Sequence, residues 1–160
     1  MVTSALHVAA GTPDPELPLL TIGELGILRE VAETADGVVV TITPTYSGCP
    51  ALREITADLT GRLTAAGYRN VELRTRLAPP WSSDWITEGG RAKLRAAGIA
   101  PPGPAPTGPV RLTLGPRPVV TCPRCGSSDT VTSAPFGATA CKALHRCGTC
   151  DEPFEAVKAI

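Results

Sequence analysis

The clearest pattern in the chain lies between residues 50 and 67. Leu52, Ile55, Leu59, Leu63 and Ala66 recur at helical spacing and fall on one face. Pro50 suits the first helical position, where no amide donor is needed, and Gly67 is a natural stop. Upstream, ILREVAET (27–34) and VVVTIT (38–43) read as strands. Ala35-Asp36-Gly37 between them carries an Asp-Gly turn signal, so an antiparallel hairpin is predicted. After the helix, NVELRTRL (70–77) alternates, with Val71, Leu73, Thr75 and Leu77 on one face of a third strand. Shorter helices are predicted over 4–10, capped by Ser4 and stopped by Gly11, and over 87–97, ended by Gly98. Thr21 and Glu24 have capping-box spacing, but Gly23 and Gly26 limit that element to one turn. The prolines of TPDPELP (12–18) make it a turn-rich bridge.

The pattern then breaks. Residues 98–109 hold five prolines and three glycines, a density that excludes regular structure and predicts an extended linker. Three segments follow: an α+β domain over 12–100, a Pro/Gly-rich linker over 101–116 and a small cysteine-rich module over 117–158. The fold class expected is α+β, a small three-stranded sheet with packed helices followed by a zinc-ribbon-like module.

Composition narrows the chemistry. Hydrophobic residues make up 42% of the 160 positions, enough for a core, and aromatics only 4%, so that core is aliphatic. Lys+Arg and Asp+Glu are both 15. Residues 1–100 carry nine basic and eleven acidic side chains and residues 101–160 six and four, so neither part is a basic reader of phosphate backbones. No nucleic-acid partner is expected. No apolar run approaches a membrane span, and the first ten residues lack the positive region of a signal peptide, so a cytoplasmic protein with no membrane partner is expected.

Five of the six cysteines lie between 122 and 150. Cys122-Pro-Arg-Cys125 and Cys147-Gly-Thr-Cys150 are two C-x-x-C pairs with twenty-one residues between Cys125 and Cys147. Two such turns facing each other make a four-sulfur cage for Zn²⁺, and in a reducing compartment metal is preferred to a disulfide. Gly126 and Gly148 ease the backbone of the two turns. An iron–sulfur cluster also takes four thiolates. Cys141 and His145, in the same module, are additional candidate ligands; the plainer reading makes Cys141 a small buried hydrophobe and His145 a surface residue. The module's apolar residues are few: Val131, Phe136, Leu144, Phe154 and Val157.

Cys49 stands apart, at or beside a helix start. Free amides and the helix dipole there are expected to lower its pKa. Gly48 allows close approach of a bound group, and Thr43, Thr45, Tyr46 and Ser47 add hydroxyls. The alternative is a cysteine that packs its loop onto the sheet. No neighbouring histidine offers a base, which argues against a hydrolytic thiol enzyme. Trp81 and Trp85 flank Ser82-Ser83-Asp84 and either cover the open side of the sheet or dock a partner. Asp14, Glu16 and Glu24 read as turn and cap residues.

DPELPLLTIGELGILREV (14–31) and TPTYSGCPAL (43–52) resemble the iron–sulfur cluster assembly family that includes SufT-type maturation factors. PPWSSDWITEGGRAKLRAAGIAPP (79–102), CPRCGS (122–127), TACKAL (139–144) and EPF (152–154) resemble the PaaD (PaaJ) family, accessory proteins encoded with the phenylacetyl-CoA epoxidase of aerobic phenylacetate breakdown. The resemblance spans residues 13–155. It implies a three-stranded α+β domain, a C-terminal zinc ribbon, and a role in metallocentre assembly without catalysis of epoxidation. It places the family's conspicuous acidic residue on Asp14 and its cysteine on Cys49, as a transient docking point for iron or an iron–sulfur cluster. It implies oxygenase or reductase subunits, or their assembly machinery, as partners. The competing reading is a non-catalytic interaction subunit of the oxygenase complex.

Overall fold

A computed structural model describes residues 4–46, 48–106 and 119–160. Most of the expected linker, 107–116, and the first two residues of the expected module lie outside the described residues, as does Ser47. The chain divides into two compact units, Met1–Trp81 with Trp85–Gly90, and Ser82–Asp84 with Arg91–Ile160.

The first unit begins with α1 (Ala5–Ala10), where the Ser4 hydroxyl accepts the His7 amide at 3.3 Å. β1 (Leu28–Glu33) and β2 (Gly37–Ile42) form the antiparallel hairpin, closed by the Thr34 amide donating to the Gly37 carbonyl at 2.8 Å. α2 (Ala51–Ala65) then carries the chain back so that β3 (Asn70–Thr75) runs parallel to β2, in the order β1-β2-β3. Parallel neighbours need such a crossover. Val38, Val40 and Ile42 share one face of β2, and Ala51, Ile55, Leu59 and Leu63 line one stripe of α2; all are buried. Leu52 and Ala66, expected on that stripe, are half-buried at its margin.

β3 is shorter than its alternation suggests. Val71 and Leu73 are half-buried, but Thr75 is exposed and Leu77 lies beyond the strand, 54% exposed. The strand stops because β2 ends: the last pair is Ile42 with Thr75, and only the Arg76 amide still reaches the Ile42 carbonyl. The capping box forms as its spacing predicts, the Thr21 amide donating to Glu24 Oε2 at 3.0 Å and the Glu24 amide to Thr21 Oγ1 at 3.1 Å. Trp81 is 5% exposed and donates its indole N–H to the Leu25 carbonyl at 3.0 Å. It is a core residue with no face to offer a partner. Half-buried Trp85 packs against Gly26, where a Cβ would stand 2.5 Å from Trp85 Cβ, and carries the Arg29 guanidinium 3.7 Å above its ring.

α3 (Glu88–Ala96) spans the division between the units. The second unit contains β4 (Thr130–Ala134), β5 (Lys142–Cys147) and β6 (Pro153–Val157) in one antiparallel sheet. Its core differs from the sequence expectation. Phe154 and Val157 are buried as expected, but Val131, Phe136 and Leu144 are 60%, 64% and 38% exposed, and Ala100, Cys122, Cys147 and Ala156 pack around Phe154 in their place. The reason is strand alternation: His145 and Cys147 take the inner face of β5, which turns Leu144 outward, and the β4 partner of exposed Arg146 is Val131. Ala100 enters this core because it bridges to β6, its amide donating to Glu155 and its carbonyl accepting from Val157. The proline-rich run is therefore anchored where it begins.

Candidate functional site

The second unit brings Cys122, Cys125, Cys147 and Cys150 together, their sulfurs all within 4.8 Å of one another. The two C-x-x-C turns are built alike. The residue after each second cysteine has positive φ, Gly126 at 75° and Asp151 at 64°, and its amide donates to the carbonyl of the first cysteine, Cys122 or Cys147. Gly126 fills the expected role, whereas Gly148 has no positive φ, and a Cβ there would meet the Asp129 carboxylate, which would have to move aside. Ser127 and Thr149 hydroxyls join the turns at 2.7 Å.

Across the turns, Cys122 Sγ lies 3.8 Å from Cys150 Sγ, and Cys125 Sγ lies 3.5 Å from Cys147 Sγ. Disulfide sulfurs stand at about 2.05 Å. Four sulfurs each about 2.3 Å from a central ion stand about 3.8 Å apart, so the spacing fits a tetrahedral thiolate site. Backbone amides point at these sulfurs. Amides of Cys150 and Thr149 pull the Cys147 thiol down to about 6. At Cys125 the Ser127 amide also lowers the pKa, but the neighbouring sulfurs and burial outweigh it and push the thiol up to about 12. A cation among the four sulfurs favours the thiolate of each over the thiol and takes the place of the protons. The group binds metal.

Cys141 and His145 stand outside the four-sulfur group. Cys141 is half-buried with its sulfur 3.1 Å from Thr139 Oγ1. His145 is 8% exposed, not a surface residue, and stacks on Phe154 at 5.6 Å between centroids. Burial pulls its pKa down, and Nδ1 has no hydrogen-bond partner.

In the first unit the structure brings Cys49 and Asp14 together across thirty-five positions of sequence, near enough for the carboxylate to act on the thiol's ionisation. Asp14 is 5% exposed at the base of the 12–18 turn. Its Oδ1 accepts the Glu16 and Leu17 amides at 2.9 and 2.7 Å, and its own amide donates to the Leu20 carbonyl. Burial raises its pKa against the lowering effect of those two amides. Pro50, placed by the sequence at the first helical position, is the N-cap of α2 and supplies no side-chain hydrogen bond. Cys49 precedes it, half-buried.

The Cys49 thiol is not activated as a helix start suggests. Burial pushes its pKa up, and the charges of Glu16 and Asp14 add to this; the Ala51 amide and the Thr45 hydroxyl act the other way and lose. Asp14 lines a shallow cleft of about 300 Å³ with Glu54, Asp58, Ile55 and three prolines; Cys49 is not among its lining residues. In the sequence Glu16 reads as a turn residue and Glu54 belongs to no motif. Their only signal was position, one two residues after Asp14 and the other in the first turn after Cys49.

Comparison with known proteins agrees with this two-part construction. Residues 10–72 match the family described as iron–sulfur cluster assembly protein, and residues 106–158 match the PaaD zinc beta ribbon domain. A protein of Escherichia coli (strain K12), described as a putative subunit of 1,2-phenylacetyl-CoA epoxidase, is 43% identical over 148 residues, 92% of this chain and 87% of its own length. Among solved structures, a domain of unknown function DUF59 from Bacillus anthracis matches with a TM-score of 0.52 and 26% identity, over 56% of this chain and 87% of that one. A conserved hypothetical protein from Thermotoga maritima matches with a TM-score of 0.48 and 26% identity, over 56% of this chain and 89% of that one. Among the described residues no helix is long and apolar enough to cross a membrane. An assembly-type domain followed by a four-cysteine ribbon, with this identity over nearly the whole length, makes the chain a member of the PaaD family.

Proposed function

We propose that the protein is an accessory maturation factor for a multicomponent phenylacetyl-CoA epoxidase, supporting assembly of an iron or iron–sulfur centre in that enzyme without catalysing epoxidation. Its partners are the oxygenase or reductase subunits or their assembly machinery. In this reading the working domain is the span 12–100 up to Gly90, the stretch from Arg91 to Ala100 being part of the second compact unit, with 101–116 the linker and 117–158 a cytoplasmic protein's zinc ribbon. Cys122, Cys125, Cys147 and Cys150 hold Zn²⁺, and Cys141 and His145 stay outside the ligand set.

The observation that carries the reading is that the fold brings the Cys49 thiol within electrostatic reach of Glu16 and of the buried carboxylate Asp14, which itself lines an acidic cleft. A thiol whose pKa is raised by burial and by carboxylates is protonated and unreactive when nothing is bound. A cation placed between thiol and carboxylates reverses each of these effects: the thiol proton leaves to solvent and the sulfur becomes a ligand. When the cation leaves, the sulfur takes a proton back from solvent and the neutral thiol has little hold on it, as suits a cargo that must be passed on. The neutral charge balance and the absence of basic patches on the sequence support a protein partner over nucleic acid.

The test is growth on phenylacetate with matched expression of wild type and Cys49→Ser, together with the iron content of the purified oxygenase. Poor growth and an iron-poor enzyme are expected from the serine variant. Full growth with full iron loading refutes the maturation role and favours the second reading, an interaction subunit in which Cys49 packs its loop. The raised thiol pKa is the observation on that side.

A further inference from the structure

The two edges of the first sheet are unlike each other. β1 has a bulge between Leu28 and Glu30, and its Glu33 side chain accepts the Ala5 amide at the start of α1, so that edge is distorted and partly covered. β3 has neither device. It is six residues of regular strand, with no proline and no lysine, and among the described residues no strand pairs with its outer side. Glu72, Arg74, Thr75, Arg76 and Leu77 are all exposed. An open, unprotected edge is a template for another strand.

The side chains of β3 determine which strand fits. Val71 and Leu73 face the helix side and Glu72 and Arg74 the opposite side. If a second β3 pairs antiparallel about a two-fold axis, the like faces of both strands coincide only when the axis passes through a residue. Centred on Glu72 or on Arg74, the pairing sets two like charges directly opposite each other. Centred on Leu73, it sets Glu72 opposite Arg74 of the second copy, and Arg74 opposite Glu72, while Val71 meets Thr75. Opposite charges in directly facing positions stabilise a pair of strands, and like charges oppose it. Within one chain Arg74 already lies 2.7 Å from Glu72, so each carboxylate would stand between two guanidinium groups.

We propose that the outer edge of β3 binds a second copy of this chain, antiparallel and centred on Leu73, joining two three-stranded sheets into one of six strands.

The experiment is the mass of the full-length, zinc-loaded protein by light scattering during gel filtration, for wild type, Glu72→Arg, and Glu72→Arg combined with Arg74→Glu. Wild type is expected at twice the chain mass of 16.5 kDa. The single variant sets an introduced guanidinium opposite Arg74 at both symmetric positions and is expected at the single-chain mass. The double variant restores opposite charges and is expected to return to the dimer. Both positions are exposed, and an unchanged tryptophan-fluorescence unfolding transition checks that each variant is folded. A monomeric wild type, a dimer indifferent to Glu72→Arg, or a double variant that stays monomeric each overturns the proposal.

Discussion

Removing the metal tests the second unit most directly. Around its sheet the buried apolar side chains, apart from the sulfurs, are small residues and one phenyl ring: Ala100, Ala143, Phe154, Ala156 and Val157; Lys142 and His145 are buried there too, and Leu94 is buried in α3. Fully burying Phe154 and Val157 is worth about 1.5–3 kcal/mol each. A structural four-ligand zinc contributes about 10–16 kcal/mol near neutral pH. A whole domain is commonly stable by only about 5–15 kcal/mol. Loss of the ion therefore exceeds any stability this unit holds in reserve, and strong chelation is expected to unfold β4, β5 and β6. Both tryptophans, Trp81 and Trp85, belong to the first unit, so their fluorescence reports its unfolding separately. Zinc release is read with a chromophoric chelator, the second sheet by hydrogen exchange at the Ala143, His145 and Cys147 amides, and the first unit by the tryptophan transition. Cys147→Ser, at a buried sulfur that accepts two amides, should act as chelation does; Cys141→Ser should leave one zinc per chain and the protection intact. Protected β5 amides in verified metal-free protein would refute the reasoning, and so would loss of zinc on Cys141→Ser.

Two further outcomes are expected. Because burial and the Glu16 and Asp14 charges raise the Cys49 pKa, its folded value lies above its unfolded one; the stability this contributes is present below the ordinary thiol range and is lost as pH rises through the raised value. Alkylation of Cys49 in zinc-loaded protein should accordingly reach half its limiting rate at a pH above the ordinary thiol midpoint of about 8.5, and Asp14→Asn should bring that midpoint down; a midpoint below the ordinary value counts against the burial argument. Gly37→Ala drives a Cβ into the Asn70 carbonyl oxygen in the β2–β3 ladder, and overpacking of this kind costs about 1–3 kcal/mol, so the tryptophan unfolding transition should fall by several degrees.

The local elements were legible in the chain because each is set by neighbours in sequence. The α2 stripe, the Asp-Gly hairpin, the Thr21–Glu24 capping box and the twin cysteine turns all depend on spacings of a few residues, and each appears where its spacing puts it. What depends on distant residues was decided only by the folded chain. Periodicity placed Leu77 in a strand and Leu144 in a core, yet β3 ends where β2 ends, and β5 gives its inner face to His145 and Cys147. A tryptophan pair suited to docking yields one core residue, because Trp81 finds a carbonyl acceptor fifty-six positions away. A helix start alone predicts an activated thiol at Cys49. The fold instead buries that thiol beside Asp14 and Glu16, and desolvation with two nearby carboxylates outweighs the single amide that the helix start provides.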